Sequence, residues 1–270
     1  MRLLVVVCML SAAPAPAEVL SEDELRQLFE EASRLFRQAN ETSVSDPAAG
    51  RDLHQRAVLR FERIVREGGI RNGKLYYNLG NAYFLAGDIG RAILNYRRAE
   101  RYAPRDANLR QNLAYARLSR ADKFEERQKT RVLKTLLFWH YDLPATVRLK
   151  LFVILWAVLW IAASVRLLYS HMARAVAPAV GCVAALLFGS LVVEAAVSSR
   201  RQAGVILAPE VIARKGDGES YQPSFREPLH AGAEFVLRES RNGWHHIELP
   251  DGRTSWIPGA AAGLVAEIES

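Results

Sequence analysis

The chain has 270 residues, half of them hydrophobic, yet its mean hydropathy is only −0.03, which favours long apolar segments separated from charged ones over one uniform globule. The formal net charge of +7 is uneven, since residues 110–150 hold ten Lys/Arg and four Asp/Glu whereas residues 200–270 hold eight and ten. A basic excess beside an apolar region is typical of a segment that lies at a membrane surface. The sequence has no nucleic-acid-binding motif, so we do not expect a nucleic-acid partner.

Residues 1–17 predict a signal peptide. Arg2 precedes an apolar run from Leu3 to Leu10, and Ala15-Pro16-Ala17 is the small-residue pattern of a signal-peptidase site. This run is too short to span a bilayer as an uncleaved anchor. We therefore expect the part that follows to be exported.

Two helices are predicted next. Ser21 and Glu24 have the spacing of a capping box, which begins a helix that reaches about Asn40. The polar stretch ETSVSDPAAG, residues 41–50, predicts a loop. A second helix is expected from about Arg51 to Arg66.

The most specific pattern is YYNLGNAYFLAGDIGRAILNYRRAERYAPRD, residues 76–106. It predicts two helices that cross closely at the small residues Gly80 and Ala92, with Tyr83 and Tyr96 between them. Pro104 ends the second helix. This spacing resembles the tetratricopeptide repeat (TPR), with Tyr in place of its Trp and Phe.

The same spacing recurs on both sides of this stretch. Ala57, Phe61 and Ile64 precede Ala92, Tyr96 and Ala99 by 35 residues, and Asn112-Leu113 follows Asn78-Leu79 by 34. We therefore expect residues 18–130 to form an all-α TPR domain of two repeats, the first degenerate, and a closing helix. Because an array usually needs three repeats, we expect a partner or the membrane to complete its packing.

The TPR resemblance implies a concave groove that binds partner segments and is lined by the first helix of each repeat. Lys74 and the asparagines of the groove could hydrogen-bond to a peptide backbone or a carboxylate. A full carboxylate clamp, however, needs a lysine at the position of Tyr77. The alternative is an ordinary solvated surface. The positions expected to face the groove are Lys74, Tyr77, Asn78, Asn81, Phe84, Gln111, Asn112 and Tyr115.

After a juxtamembrane linker at 131–148, two apolar segments at 149–169 and 175–197 predict a transmembrane hairpin. A buried helix pair of a soluble protein is the alternative. Two spans place both flanking parts on the same side of the membrane. The basic residues around the hairpin favour the cytoplasm by the positive-inside rule, whereas the signal peptide favours export. We give the signal peptide precedence and expect a bacterial cytoplasmic (inner) membrane protein with both soluble domains in the periplasm.

Residues 203–270 predict a small all-β domain. The turns Asn242-Gly243 and Asp251-Gly252 join three strands, and GLVAEI supplies a last one. The segment resembles a bacterial SH3-like barrel, in which Trp244 and Trp256 are candidate binding residues; the alternative is that one or both belong to the core. His245 and His246 point to opposite faces of a strand, which argues against a shared metal ion.

The sequence has no P-loop, no G-x-S-x-G, no H-E-x-x-H and no cysteine–histidine arrangement of a nucleophile. Its two cysteines, Cys8 and Cys182, lack metal-ligand spacing. We expect a protein that is not an enzyme and that holds neither cofactor nor metal.

The fold expected for the whole chain is a multidomain membrane protein: TPR helices, a transmembrane hairpin and an SH3-like barrel. This order resembles the BatE-like proteins of bacterial aerotolerance (Bat) operons, most clearly in residues 76–104 and in NGWHHIELPDGRTSWIP. The resemblance implies membrane-anchored von Willebrand A proteins and a MoxR-type ATPase as partners in envelope stress or assembly. The expected function is a membrane-anchored scaffold; the alternatives are a peptidoglycan-binding protein led by the barrel, and an enzyme subunit whose activity lies on a partner.

Overall fold

The computed structural model describes residues 20–124, 137, 143, 145–168, 176–198 and 202–266. The expected signal peptide, most of the linker at 131–148 and the connector between the two apolar segments lie outside these residues. The described residues combine seven α-helices with an antiparallel β-sheet domain. The chain therefore has a mixed helical and β architecture.

Five helices form the N-terminal part, and each packs against the next: α1 (Glu22–Ser45), α2 (Pro47–Arg66), α3 (Gly73–Ala86), α4 (Ile89–Tyr102) and α5 (Ala107–Ser119). The predicted capping box is confirmed. The Glu24 N–H donates to Ser21 Oγ at 3.3 Å, and the Ser21 N–H donates to the Glu24 carboxylate at 2.8 Å.

The predicted loop at 41–50 is wrong, because only Asp46 separates α1 from α2. The Asp46 carboxylate accepts hydrogen bonds from the N–H groups of Ala48 and Ala49 at 3.0 Å each, and Pro47 suits a first helical turn, where no donor is needed. Gly50 then lies so close to Ser43 that an added Cβ would be 2.0 Å from its Oγ. A capping residue followed by proline therefore makes a one-residue turn.

The predicted close approach of α3 and α4 is confirmed. A Cβ added at Gly80 would lie 2.6 Å from the Tyr96 ring. Ala92 is fully buried, and Tyr83 and Tyr96 are also buried in the shared core. α4 ends at Tyr102, two residues before Pro104. The glycine thus leaves room for the tyrosine that fills the gap between the helices.

Helices α6 (Ala145–Leu168) and α7 (Val176–Ser198) cover the two apolar segments and pack against each other. Among the described residues, one helix is long and apolar enough to cross a membrane, through Thr146–Ser164 with a mean hydropathy of 1.9. The apolar part of α7, Val180–Val193, is shorter. Arg148 is buried and donates to Ser190 Oγ, so it links the beginning of α6 to α7.

The β domain is built on a five-stranded antiparallel sheet in the order β6-β5-β4-β1-β7, with β2 and β3 paired separately. The predicted pairing of three consecutive strands is confirmed in β4, β5 and β6, and Asn242 and Gly243 turn the chain with positive φ angles of 53° and 77°. Arg214 and Trp256 exchange backbone hydrogen bonds at 2.8 Å, which joins the segment after β2 to β6. The bounds are β1 (Gln202–Ile206), β2 (Glu210–Val211), β3 (Leu229–His230), β4 (Glu234–Arg241), β5 (Trp244–Glu248), β6 (Thr254–Pro258), a 3-10 helix (Gly259–Ala261) and β7 (Ala262–Leu264).

The β domain packs against α4 and α5, and we call this contact the junction. Val205 and Val265 belong to the same buried core as the side chains of α4. A Cβ added at Gly90 would lie 2.8 Å from the Ile206 carbonyl oxygen, so the two backbones are nearly in contact. The chain's own β domain therefore contributes to the packing of the helical stack, and the expectation that a partner or the membrane completes it stays a prediction.

Charged side chains cross the junction. The Glu234 carboxylate, 18 % exposed, accepts two hydrogen bonds from Arg117 at 2.8 Å each and pairs with Arg120 at 3.3 Å and Arg97 at 3.4 Å. Burial by itself raises the pKa of Glu234, but its bonds to Arg117 and the other arginine charges hold that pKa below its ordinary value. Glu234 therefore remains ionised at the centre of the junction.

A second polar contact crosses the junction beside the first. Asp122 accepts the backbone N–H of His230 at 2.7 Å and lies 2.9 Å from its ring Nδ1. The hydrogen bond to Asp122 raises the pKa of His230. The segment after α5 is thus bonded to β3.

Candidate functional site

The helical part has a pocket at the expected groove, with a cavity volume of about 260 Å³. Four of the predicted groove residues line it: Asn81 and Phe84 from α3, and Asn112 and Tyr115 from α5. The rings of Phe84 and Tyr115 meet edge to face at 5.5 Å. Every lining side chain is uncharged, the others being Phe36, Leu85 and Tyr96.

The two asparagines of the pocket are held by hydrogen bonds. Asn81 Oδ1 accepts from the Tyr96 hydroxyl at 2.8 Å and from Asn112 Nδ2 at 2.9 Å. Asn112 Nδ2 also donates to the Tyr77 hydroxyl at 3.0 Å. Burial raises the pKa of Tyr96, with a further contribution from Tyr77, so its hydroxyl stays protonated and can donate. Helices α3, α4 and α5 are therefore connected by one polar network behind the pocket.

Four of the predicted groove residues do not line the pocket. Lys74 and Gln111 are exposed and Asn78 is half-buried, one or more helical turns away from Phe84 and Tyr115 along their helices. Tyr77 is half-buried and reaches the pocket through its bond to Asn112. The structure therefore brings together the amide and aromatic residues but leaves the lysine outside.

The repeat pattern does not indicate Phe36 or Leu85 as pocket residues, and it predicts Tyr96 only between the two helices. Phe36 lies in the first predicted helix, but its place in the pocket depends on how α1 packs against the rest of the helical stack. Leu85 directly follows Phe84 and is 41 % exposed. Its position directly after the predicted groove residue Phe84 was the one sequence signal that pointed to it.

The two tryptophans of the β domain differ in their surroundings. Trp244 is half-buried and lies opposite Pro258 in the sheet. Trp256 is 9 % exposed, because His246 stacks on its ring at 4.9 Å and the Arg241 guanidinium lies 5.0 Å from its centroid. Asp217 holds Arg241 in place with a hydrogen bond of 2.9 Å. Trp256 therefore offers little surface to a ligand in this arrangement.

In the part of the chain that the structure describes, no group of three or more His, Cys, Asp or Glu side chains could hold a metal ion. Known proteins give no further guide: no family model matches the chain, and neither a curated protein nor a solved structure matches it.

Proposed function

We propose that the protein is a non-enzymatic, membrane-anchored scaffold that binds partner proteins through the groove of its helical part. The observation that carries this proposal is the pocket of uncharged aromatic and amide side chains between α3 and α5. Rigid aromatic residues give binding area at a low cost in conformational entropy, and fixed amides give directional hydrogen bonds.

The helical part is proposed to be a short TPR array. Its helices pack in chain order, α1 with α2 and α3 with α4, and α5 closes the stack. Gly80 and Tyr96 occupy the positions that such a repeat gives to a small residue and to its large partner. In this arrangement α1, α3 and α5 are the helices that line the concave surface, and each of them contributes to the pocket.

Helices α6 and α7 are proposed to form the membrane anchor. They contact each other, and large apolar side chains point away from the pair, among them Trp160 at 61 % exposure and Leu186 at 60 %. In water such a surface would favour aggregation, whereas lipid would cover it. A hairpin also explains how the helical part and the β domain, which flank it in sequence, meet at the junction.

The β domain is proposed to be an SH3-like barrel. Its order of elements supports this assignment: a first strand, a long connection, three strands joined by tight turns, a 3-10 helix, and a last strand that returns to β1. The signal peptide predicted at 1–17 supports a periplasmic location for both soluble parts. The resemblance to BatE-like proteins makes von Willebrand A membrane proteins and a MoxR-type ATPase system the first partners to examine.

Co-purification from detergent-solubilised membranes tests the proposal. The native chain is compared with a Phe84→Ala/Tyr115→Ala variant and with Leu118→Ala, a matched control on α5 that is 78 % exposed and does not line the pocket. We expect the same membrane proteins with the native chain and the control, and their loss from the groove variant.

Retention of those proteins by the groove variant would contradict the proposal. If a Trp244→Ala variant loses them instead, the β domain is the binding module. Pelleting of the full chain with purified peptidoglycan, abolished by Trp244→Ala, would establish the alternative of a cell-wall-binding protein.

A further inference from the structure

The chemistry of the pocket specifies the kind of segment that it accepts, an inference that rests on the proposed function. A volume of about 260 Å³ is below the range typical of sites for drug-sized ligands, so it suits one large side chain. Phe36, Phe84 and Tyr115 form its apolar walls. The pocket is therefore shaped for a single apolar anchor.

The amides at the pocket have one free donor group and one free acceptor. Asn81 uses its Oδ1 twice and Asn112 its Nδ2 twice within the network. Among the described residues, no hydrogen bond involves Asn81 Nδ2 or Asn112 Oδ1. A donor beside an acceptor complements the carbonyl and the N–H of a peptide backbone.

A carboxylate is poorly matched to this pocket. Among the described residues, none of its seven lining side chains carries a positive charge, and Lys74 does not line it. A carboxylate placed there would lose its hydration without gaining an ion pair, which strongly disfavours binding. Recognition of a free C-terminus or an acidic motif would instead require cations within the pocket.

We propose that the pocket binds an internal, uncharged segment of a partner protein, with one large aromatic or aliphatic side chain packed against Phe36, Phe84 and Tyr115. The backbone of that segment bonds to Asn81 and Asn112. Specificity thus comes from an apolar anchor and neutral backbone hydrogen bonds, and Lys74 contributes little to it.

A library of short peptides tests this proposal, synthesised once with C-terminal amides and once with free carboxylates. The detergent-solubilised full chain is incubated with both forms, and retained peptides are sequenced. We expect them to share one Phe, Leu, Met or Trp without enrichment of Asp or Glu, and both forms to bind with equal affinity. Because no ion pair is involved, that affinity should change less than twofold between low and high salt.

Two variants, each with a control at Leu118, locate the site. Tyr115→Ala should weaken the selected peptides at least tenfold, while Leu118→Ala leaves them bound. Leu85→Lys places a cation at the partly exposed rim of the pocket and should create a preference for the carboxylate form. Leu118→Lys, on α5 outside the pocket, should not.

Peptides that require a free carboxylate or acidic residues and are lost with Lys74→Ala would overturn the neutral-anchor proposal while leaving a peptide-binding groove. Apolar peptides that bind Tyr115→Ala as well as the native chain would show that the pocket is not their site. If the native chain retains no more peptide than the Tyr115→Ala variant does, both this proposal and the groove as a peptide-binding surface are overturned.

Discussion

Helix α5 separates two surfaces of opposite chemistry. At the junction, Arg117 and Arg120 bind the partly buried carboxylate of Glu234, so the charged groups have partners. At the pocket, Asn112 and Tyr115 are uncharged. The side-chain oxygen of Asn112, Oδ1, has no hydrogen-bond partner among the described residues. The charged surface holds the molecule together, whereas the neutral surface is the one that we propose for partner binding.

The largest effect is expected from removing the charge at the centre of the junction. Glu234→Gln leaves Arg117 and Arg120 without their carboxylate, which should lower the free energy of unfolding by about 2 kcal/mol. Urea unfolding in detergent, followed by circular dichroism, measures it. Glu239→Gln, on the same strand but 51 % exposed, should lose about 0.5 kcal/mol or less. Equal losses would contradict a structural role for the Glu234 cluster.

A smaller effect is expected from separating the two backbones at the junction. Gly90→Ala adds a Cβ within 2.8 Å of the Ile206 carbonyl oxygen, and the strain should exceed the gain in helix propensity by about 1 kcal/mol. Hydrogen exchange of β1 should become faster. Gly189→Ala is the control, since no described atom lies within 4 Å of the new Cβ. Unchanged exchange of β1 would show that the contact is not tight.

The junction should also respond to pH. His230 has a raised pKa, so its bond to Asp122 stabilises fully below the unfolded histidine pKa of about 6.5 and is lost as pH rises through the raised value. Glu234 has a lowered pKa, so its contribution is present above about pH 4.3 and is lost as pH falls through the lowered value. Between about pH 4.3 and pH 6.5, both His230 and Glu234 therefore contribute to the free energy of unfolding.

Unfolding measured across pH, with His230→Gln, checks this expectation. At pH 5.5, the free energy of unfolding of the variant should be lower than that of the native chain by up to about 1 kcal/mol. Above about pH 6.5, it should no longer fall as pH rises. His245→Gln, whose ring contacts Ser240 away from the junction, is the matched control and should keep the alkaline loss. The same alkaline loss in His230→Gln would assign it to other groups.

The smallest effect on stability is expected at the pocket. Tyr115 is 61 % exposed, so Tyr115→Ala should change the free energy of unfolding by about 0.5 kcal/mol or less. Retention of partner proteins should nevertheless fall at least tenfold. A loss of stability as large as that of Glu234→Gln would place Tyr115 with the structural residues, and the comparison of the two surfaces would fail.

The parts of the fold that depend on neighbours in sequence could be predicted. The Ser21–Glu24 capping box, the fit of Gly80 against Tyr96 and the Asn242-Gly243 turn all follow from rules that act over a few residues or one helical hairpin. The one-residue turn at Asp46 shows the limit, because the polar stretch around it indicated a break but not its length.

The junction could not be predicted, because the residues that form it are far apart in the chain. Arg117 and Glu234 are separated by 117 positions, and neither stands in a motif. At the pocket, repeat spacing predicted Asn81, Phe84, Asn112 and Tyr115, whereas Phe36 required the packing of α1 across the groove. Lys74 lies on α3 as predicted, but at the beginning of that helix, whereas the pocket lies near its C-terminal end.

Site-specific photo-crosslinking in membranes tests directly whether the pocket binds a partner. Benzoylphenylalanine is introduced in place of Tyr115 in the pocket or in place of Leu59, a 55 % exposed residue of α2. We expect a defined adduct from position 115 alone. The crosslinked partner segment should be uncharged and carry an apolar anchor, and an excess of the selected amide peptide should prevent the adduct from forming. Equal adducts from both positions, or an adduct that this peptide does not prevent, would contradict the claim that the neutral groove is the binding surface.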